Sequence, residues 1–277
     1  MASRPAGRRI VVTGAGSGIG KAIAERLAQA GHDVKATVRG VERALALTEA
    51  ARRAALGLSF LPLDLSSAAE ADALARELTQ QGGVDVLVNN AGYGIFGAVE
   101  DMPADQVARQ FEVNVLGPLL LTRGLLPSLR ARKGRIIWIG SLAGRQSLAF
   151  QAHYSATKAA VAALSDALRV ELRSHGVQVT CVEPGDIATG FTDARVVVAV
   201  TDSPYASAAA RCLAAVEHEE RTAVGPDRVA RVVERLVVRR RLPSRVPVGR
   251  LGRTTCLFLR VVPHSVGQYM TRKRYDI

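Results

Sequence analysis

The chain reads as one α/β domain, a parallel sheet with helices on both faces, and three observations lead there. Strand-like and helix-like segments alternate from residue 9 onward, the order that right-handed βαβ crossovers require. Hydrophobic residues make up 48% of the chain but aromatics only 4%, so Ala, Val, Leu and Ile must build the core, which suits a doubly covered parallel sheet. At 277 residues the chain can close a sizeable core without dividing into two domains.

Residues 9–13 give the first strand, and a helix opening near Gly20 follows over 21–30. Strands 33–38 and 59–62 precede helices 40–53 and 68–80. Strand 85–89 leads to a helix near 105–116 that can run on past Pro118, and strand 135–139 to the amphipathic helix 154–174 and strand 177–182. Gly31 and Gly176 follow Ala- and Leu-rich runs as C-terminal caps, and Ser66-Ser67 stands where an N-cap is wanted. From 186 to about 210 the pattern is lost. Thr189-Gly190, Asp202 and Ser203-Pro204 read as a loop lying over a site, with a helix from about 205 to 220. Helix 227–239 and a last strand at 245–248 complete the expected domain, 1–249, leaving 250–277 as a basic C-terminal extension around Pro263.

The formal net charge of +12 invites a nucleic-acid reading, but its distribution argues against one. Residues 235–277 hold 11 Lys or Arg and one acid, which leaves 26 basic and 24 acidic residues before them. The body is nearly neutral, and the charge belongs to the tail. There, Leu257-Phe258-Leu259-Arg260-Val261-Val262 and Arg272-Lys273-Arg274 suit either peripheral contact with an anionic membrane or a helix packed on the body or a partner subunit with a solvated basic face, and the second is preferred. Three scattered cysteines, Cys181, Cys212 and Cys256, make no disulfide framework and point to a reducing cytoplasm. Residues 1–9 run straight into Ile10-Val11-Val12 without the apolar core of a signal peptide. The stretch around 113–121 is too short to span a bilayer. His32, His153, His175, His218 and His264 show no ligand spacing, so no metal is expected.

Thr13-Gly14-Ala15-Gly16-Ser17-Gly18-Ile19-Gly20 lies where the first strand turns into the first helix. Glycines there let a pyrophosphate approach backbone N–H groups at the positive end of the helix. Nicotinamide sites selective for NAD carry an acid at the end of the second strand for the ribose 2′-hydroxyl. This strand ends Thr37-Val38-Arg39 instead, and Arg39 suits the 2′-phosphate of NADP(H). Its plain alternative is a solvated residue that starts the next helix, which would leave NAD(H) open.

Tyr154 and Lys158 lie four apart, on one face of a helix. A phenol titrates near 10, and a neighbouring ammonium together with a positively charged nicotinamide would favour its ionised form. Ser141 follows a strand end, where ligands of open α/β sheets bind, and Asn114 is a polar residue in an apolar helix that needs partners, such as a water linked to Lys158. Each residue alone has an ordinary structural explanation. Their joint occurrence behind a nucleotide loop is far less common.

With these motifs, the chain resembles the short-chain dehydrogenase/reductase family over residues 8 to 190. Thr13–Gly20, Asp64-Leu65, Asn89-Asn90-Ala91-Gly92, Ser141 with Tyr154 and Lys158, and Pro184-Gly185 agree in order and spacing. The resemblance implies a Rossmann-type doubly wound parallel sheet of about seven strands, a catalytic tetrad of Asn114, Ser141, Tyr154 and Lys158, and hydride exchange between a nicotinamide and an alcohol or carbonyl. It implies that Gly14, Ser17, Gly18, Ile19, Gly20, Arg39, Asp64, Leu65, Asn90, Ala91, Gly92, Tyr154, Lys158, Pro184, Gly185, Ile187 and Thr189 hold the cofactor. Some NADP-dependent members carry a basic residue where this chain has Ser17, which leaves Arg39 as the main argument. The Ala36-Thr37-Val38-Arg39 segment, the Phe96-Gly97 region and the basic tail look most like members acting on steroids, retinoids or other lipophilic alcohols. Leu148, Phe150, His153, Phe191 and Tyr205 are the candidates for the substrate wall. The family also implies a homodimer or homotetramer built through the helices of Asn114 and Tyr154. The competing reading is a non-catalytic, NADPH-binding regulatory protein of the same fold.

Overall fold

The computed structural model describes residues 7–188, 195–249 and 264–275. Its strands are β1 (Arg9–Val12), β2 (Asp33–Val38), β3 (Leu58–Pro62), β4 (Val86–Asn89), β5 (Ile95–Phe96), β6 (Arg135–Ile139), β7 (Gln178–Pro184), β8 (Val196–Val197) and β9 (Arg245–Val248). The helices are α1 (Gly18–Gln29), α2 (Val41–Arg53), α3 (Ala68–Gln80), α4 (Ala104–Phe111), α5 (Gly117–Ala131), α6 (Ala152–Glu171), α7 (Ala206–Arg221), α8 (Asp227–Val238) and α9 (His264–Tyr275). Seven strands form one parallel sheet in the order β3-β2-β1-β4-β6-β7-β9, and β5 pairs with β8 apart from it.

The strands are apolar throughout because both sheet faces are covered. Alternate residues serve opposite cores. Ile10, Val12, Val86, Val88, Ile137 and Ile139 pack with α1, α2 and α8, whereas Val11, Leu87, Ile136 and Trp138 pack with α3, α5 and α6. Trp138, the chain's single tryptophan, is 1% exposed in the second layer.

Four expected elements coincide with the observed ones, namely β2, α3, β6 and β9. Ser67 caps α3 by accepting from the Glu70 amide, and Gly31 and Gly176 take positive φ where α1 and α6 have ended. α1 starts at Gly18, earlier than expected, and α7 and α8 agree with their expected ranges to within a residue. The long helix past Pro118 is continuous from α4 into α5 through a π turn, Glu112–Leu116, that carries Asn114. Of the basic extension, α9 is described. Gln146 Nε2 donates to Thr271 Oγ1 at 3.0 Å, which ties α9 to the loop that follows Ser141. Among the described residues no helix is long and apolar enough to cross a membrane.

Candidate active site

Topology opens a crevice at the carboxyl edge of the sheet. The chain winds outward from β1 to β3 and then returns to the other side of β1 for β4, so the loops after β1 and β4 leave in opposite directions. Both are the loops whose motifs suggested nucleotide binding. Gly14 has φ +65, and a Cβ there would stand 2.7 Å from Ala91 Cα; one on Gly20 would stand 2.3 Å from the Gly14 carbonyl. No side chain fits between these backbones. Asn90 Nδ2 donates to the carbonyls of Thr13 and Gly14, and Thr13 Oγ1 accepts from the Asn90 and Ala91 amides. The Ser17 side chain does not cap α1, so the first-turn amides and the positive helix end beside Gly18 and Ile19 are left for an anion.

At the end expected to hold the adenosine, Asp64 accepts from the amide and hydroxyl of Ser66, which holds its carboxyl below the usual range, with Arg109 at 3.5 Å and the Arg39 charge adding to the effect. Leu65 is buried, and its carbonyl lies so near Gly117 that a Cβ there would stand 2.0 Å away. Arg39 is exposed at the end of β2. The structure adds Arg43, which sequence reasoning passed over: from the first turn of α2 its Nη2 donates to the Gly16 carbonyl at 3.2 Å. No local signal pointed to it, because Arg39 lies outside the helix that Gly40 precedes and the four-residue spacing sets no common face.

The residues expected to handle the proton converge where β6 ends and α6 begins. Ser141 hydrogen-bonds to the Tyr154 phenol, and its Oγ also accepts from the Ala143 amide at 3.0 Å. Lys158 Nζ donates to the Ile139 carbonyl at 3.0 Å and lies 5.7 Å from the centre of the Tyr154 ring. Asn114 reaches in from the π turn: Oδ1 accepts from the Tyr93 amide, while Nδ2 donates to the Tyr93 carbonyl and to Thr157 Oγ1. A Cβ on Gly92 would stand 3.1 Å from Asn114 Oδ1 and 3.6 Å from Lys158 Nζ, so Gly92 keeps the cofactor side of the group open.

Desolvation pushes the Tyr154 phenol up to about 12 against the opposing hydrogen bond from Ser141, and pushes the Lys158 ammonium down to about 8. The expected lowering of the phenol drew on the ammonium together with a charged nicotinamide; the charges felt at the phenol here are those of Glu220 and Arg195, and burial dominates.

Farther from the sheet, Phe96, Cys212 and Val216 are buried in a third apolar cluster, with Leu148, Phe150 and Leu213 packed against it. Phe150 has φ +58 and its ring centre lies 5.8 Å from that of Phe96. Leu148 and Phe150 are therefore brought together, four to six residues before Tyr154. His153 Nε2 is buried and has no hydrogen-bond partner among the described residues. Tyr205 lies outside the cluster, 40% exposed and hydrogen-bonded to Glu100. Pro184 ends β7, the Gly185 amide donates to the Val248 carbonyl, and Ile187 is buried and bridged to Val224. Thr189 and Phe191 lie outside the described residues.

A family profile described as short chain dehydrogenase matches residues 8–197. The chain belongs to the short-chain dehydrogenase/reductase family. It is 34% identical over 275 residues to a 3-ketodihydrosphingosine reductase of Bacteroides thetaiotaomicron, covering 97% of this chain and 98% of that protein. It is 38% identical to an NADPH-dependent 3-dehydrocapnine reductase of Ornithobacterium rhinotracheale, over 66% of each chain. Among solved structures, a short-chain dehydrogenase from Streptomyces avermitilis superposes with a TM-score of 0.80 at 31% identity, over 100% of this chain and 97% of that one. A metagenomic short-chain oxidoreductase in complex with NADP has a TM-score of 0.71 at 33% identity, over 89% of this chain and 98% of that one. A Burkholderia phymatum member in complex with NAD has 0.78 at 27%, over 92% of each. As a member of this family the chain is an oxidoreductase of carbonyl and alcohol groups that uses a nicotinamide dinucleotide. The glycine loop fits that group, because Ser17 leaves the first turn of α1 uncapped and its amides can take a pyrophosphate.

Proposed function

We propose that this chain is an NADPH-preferring reductase of a ketone carried on a lipophilic molecule, with Tyr154 as the proton donor. The observation that carries this reading is the Ser141–Tyr154 hydrogen bond beside the apolar cluster of Phe96 and Phe150. A bound NADPH supplies the hydride. Ser141 holds the carbonyl oxygen and Tyr154 gives it the phenolic proton. Burial raises the Tyr154 phenol, which favours the protonated form that reduction uses; alcohol oxidation needs the phenolate and speeds up as pH rises. Lys158 holds the cofactor's ribose, and Asn114 fixes the backbone at Tyr93 and the hydroxyl of Thr157. Around the cofactor, Gly14, Ser17, Gly18, Ile19 and Gly20 take the pyrophosphate, Asp64, Leu65, Asn90, Ala91 and Gly92 the adenosine, and Pro184, Gly185, Ile187 and Thr189 the nicotinamide.

Arg39 supports NADP(H) over NAD(H), and Arg43 strengthens the case. It brings to the glycine loop, from α2, the positive charge that other members carry at the Ser17 position. The relatives named for 3-ketodihydrosphingosine and for NADPH-dependent 3-dehydrocapnine reduction favour a lipophilic ketone. We further infer a cytoplasmic homodimer or homotetramer through the helices of Asn114 and Tyr154, on which Leu116 and Val170 are 50% and 76% exposed, and a 1–249 domain bearing a 250–277 extension. Reduction assayed as NADPH consumption with a ketone panel that includes 3-ketodihydrosphingosine tests the reading. No turnover with any lipophilic ketone, or turnover supported equally by NADH, would sink it.

A further inference from the structure

Beyond Tyr154, the substrate side holds two charges for which hydride transfer has no use. Arg195 and Glu220 form an ion pair with side chains only 1% and 13% exposed. Two independent tethers put this pair at the site. Arg195 directly precedes β8, and the Val196 amide donates to the Gly94 carbonyl, next to the Tyr93 backbone that Asn114 holds. Glu220 stands four and eight residues after Val216 and Cys212 on α7, hence on the helix face that packs against Phe96. Just past that helix, Val224 bridges to Ile187 and accepts from the Ala188 amide, in the segment that follows Pro184-Gly185. Both charges are felt at the Tyr154 phenol, Glu220 raising and Arg195 lowering its pKa.

A buried ion pair is a poor device for stability, since apolar residues of similar volume serve as well or better. A hydrocarbon ketone would need only the apolar wall. An acid and a base side by side suit a ligand bearing an ammonium and a hydrogen-bond acceptor, because exchanging the contact between them for two external ones leaves each with a hydrogen-bond partner. We propose that Arg195 and Glu220 form a headgroup subsite selecting ketones with a protonated amine and an oxygen substituent beside the carbonyl, Glu220 taking the ammonium and Arg195 the oxygen. This rests on the lipophilic-ketone reading and narrows it to long-chain amino ketones.

The test compares 3-ketodihydrosphingosine with the same ketone lacking the amine, at saturating NADPH. The intact protein should show kcat/KM about tenfold or more in favour of the amino ketone, the scale of one charge-assisted hydrogen bond. In Glu220→Gln that ratio should collapse toward one, whereas Arg195→Met, which keeps Glu220 for the ammonium, should retain it and lose instead the preference for a ketone bearing the oxygen over one lacking it, with an NADPH titration reporting that each variant is folded. Should the variants fail to fold, inhibition of the intact protein decides: the long-chain amino diol should inhibit at about one tenth the concentration of its amine-free counterpart. Equal kcat/KM for the two ketones, or equal inhibition, overturns the subsite and leaves the lipophilic-ketone reading standing. Reduction of short ketones only overturns that reading and the subsite with it.

Discussion

The two sides of the crevice are made in opposite ways. On the cofactor side the working surface is backbone: Gly14, Gly20 and Gly92 stand where a Cβ would strike another loop or crowd the catalytic group, and Asn90 and Thr13 brace the two loops to each other. On the proposed substrate side it is side chain, the Phe96–Phe150 contact and the Arg195–Glu220 pair, held by two-residue strands and a helix. Backbone surfaces recognise what all members of a family bind. Side-chain surfaces can be changed one residue at a time, and there one member separates from the next.

The sharpest way to break this contrast is to remove chemistry without touching either surface. Tyr154→Phe should lower turnover by about 10²–10⁴-fold while NADPH affinity, read by fluorescence titration, stays close to that of the parent; near-normal turnover would remove Tyr154 from the mechanism. Next comes the cofactor side. Arg39→Asp should shift the NADPH-to-NADH affinity ratio by tenfold or more toward NADH, and Arg43→Ala by about tenfold, so an unchanged ratio in both would leave the 2′-phosphate without a protein partner. On the backbone surface, Gly20→Ala forces a Cβ against both the Gly14 carbonyl and the Asn90 side-chain amide of the facing loop and should destabilise the protein by about 1–3 kcal/mol in denaturant unfolding. A neutral result would mean the two loops are free to separate. For the substrate wall, Phe150→Ala should reduce kcat/KM for a long-chain ketone relative to a short one by about tenfold; an unchanged ratio would place the chain elsewhere.

The smallest effects are in pH. Lys158 loses its proton near 8 in the fold, against 10.5 ordinarily. Below 8 it is charged in both folded and unfolded chains. Between those values the unfolded chain binds one proton more, so its contribution to stability rises with pH. NADPH affinity should fall over the same interval as the ammonium at the ribose is lost. Opposite trends in melting temperature and affinity, both absent in Lys158→Met, are the expected signature.

How much of this was legible in the sequence follows the same division. β2, α3, β6 and β9 matched because each carries its own periodicity and punctuation, as Ser67 does for α3. The glycine loop and the Tyr154-to-Lys158 spacing were visible because local contacts and helix geometry create them. β5 and β8 were not, since two residues show no period and each exists only as the other's partner. Arg195 and Glu220 are 25 residues apart, and nothing local links them. Arg43 looked like any exposed helix arginine until the turn at Gly40 brought it back over Gly16.

The wide turn at Glu112–Leu116 sits between two fixed points. Asn114 is held to Tyr93, and three residues later Gly117 lies against the Leu65 carbonyl. In a regular helix each residue advances the chain by about 100°, so deleting one residue here would swing one of the two off its partner, and no exchange of one side chain for another would bring it back. Any redesign of this chain that keeps both contacts must therefore keep the number of residues between those anchors.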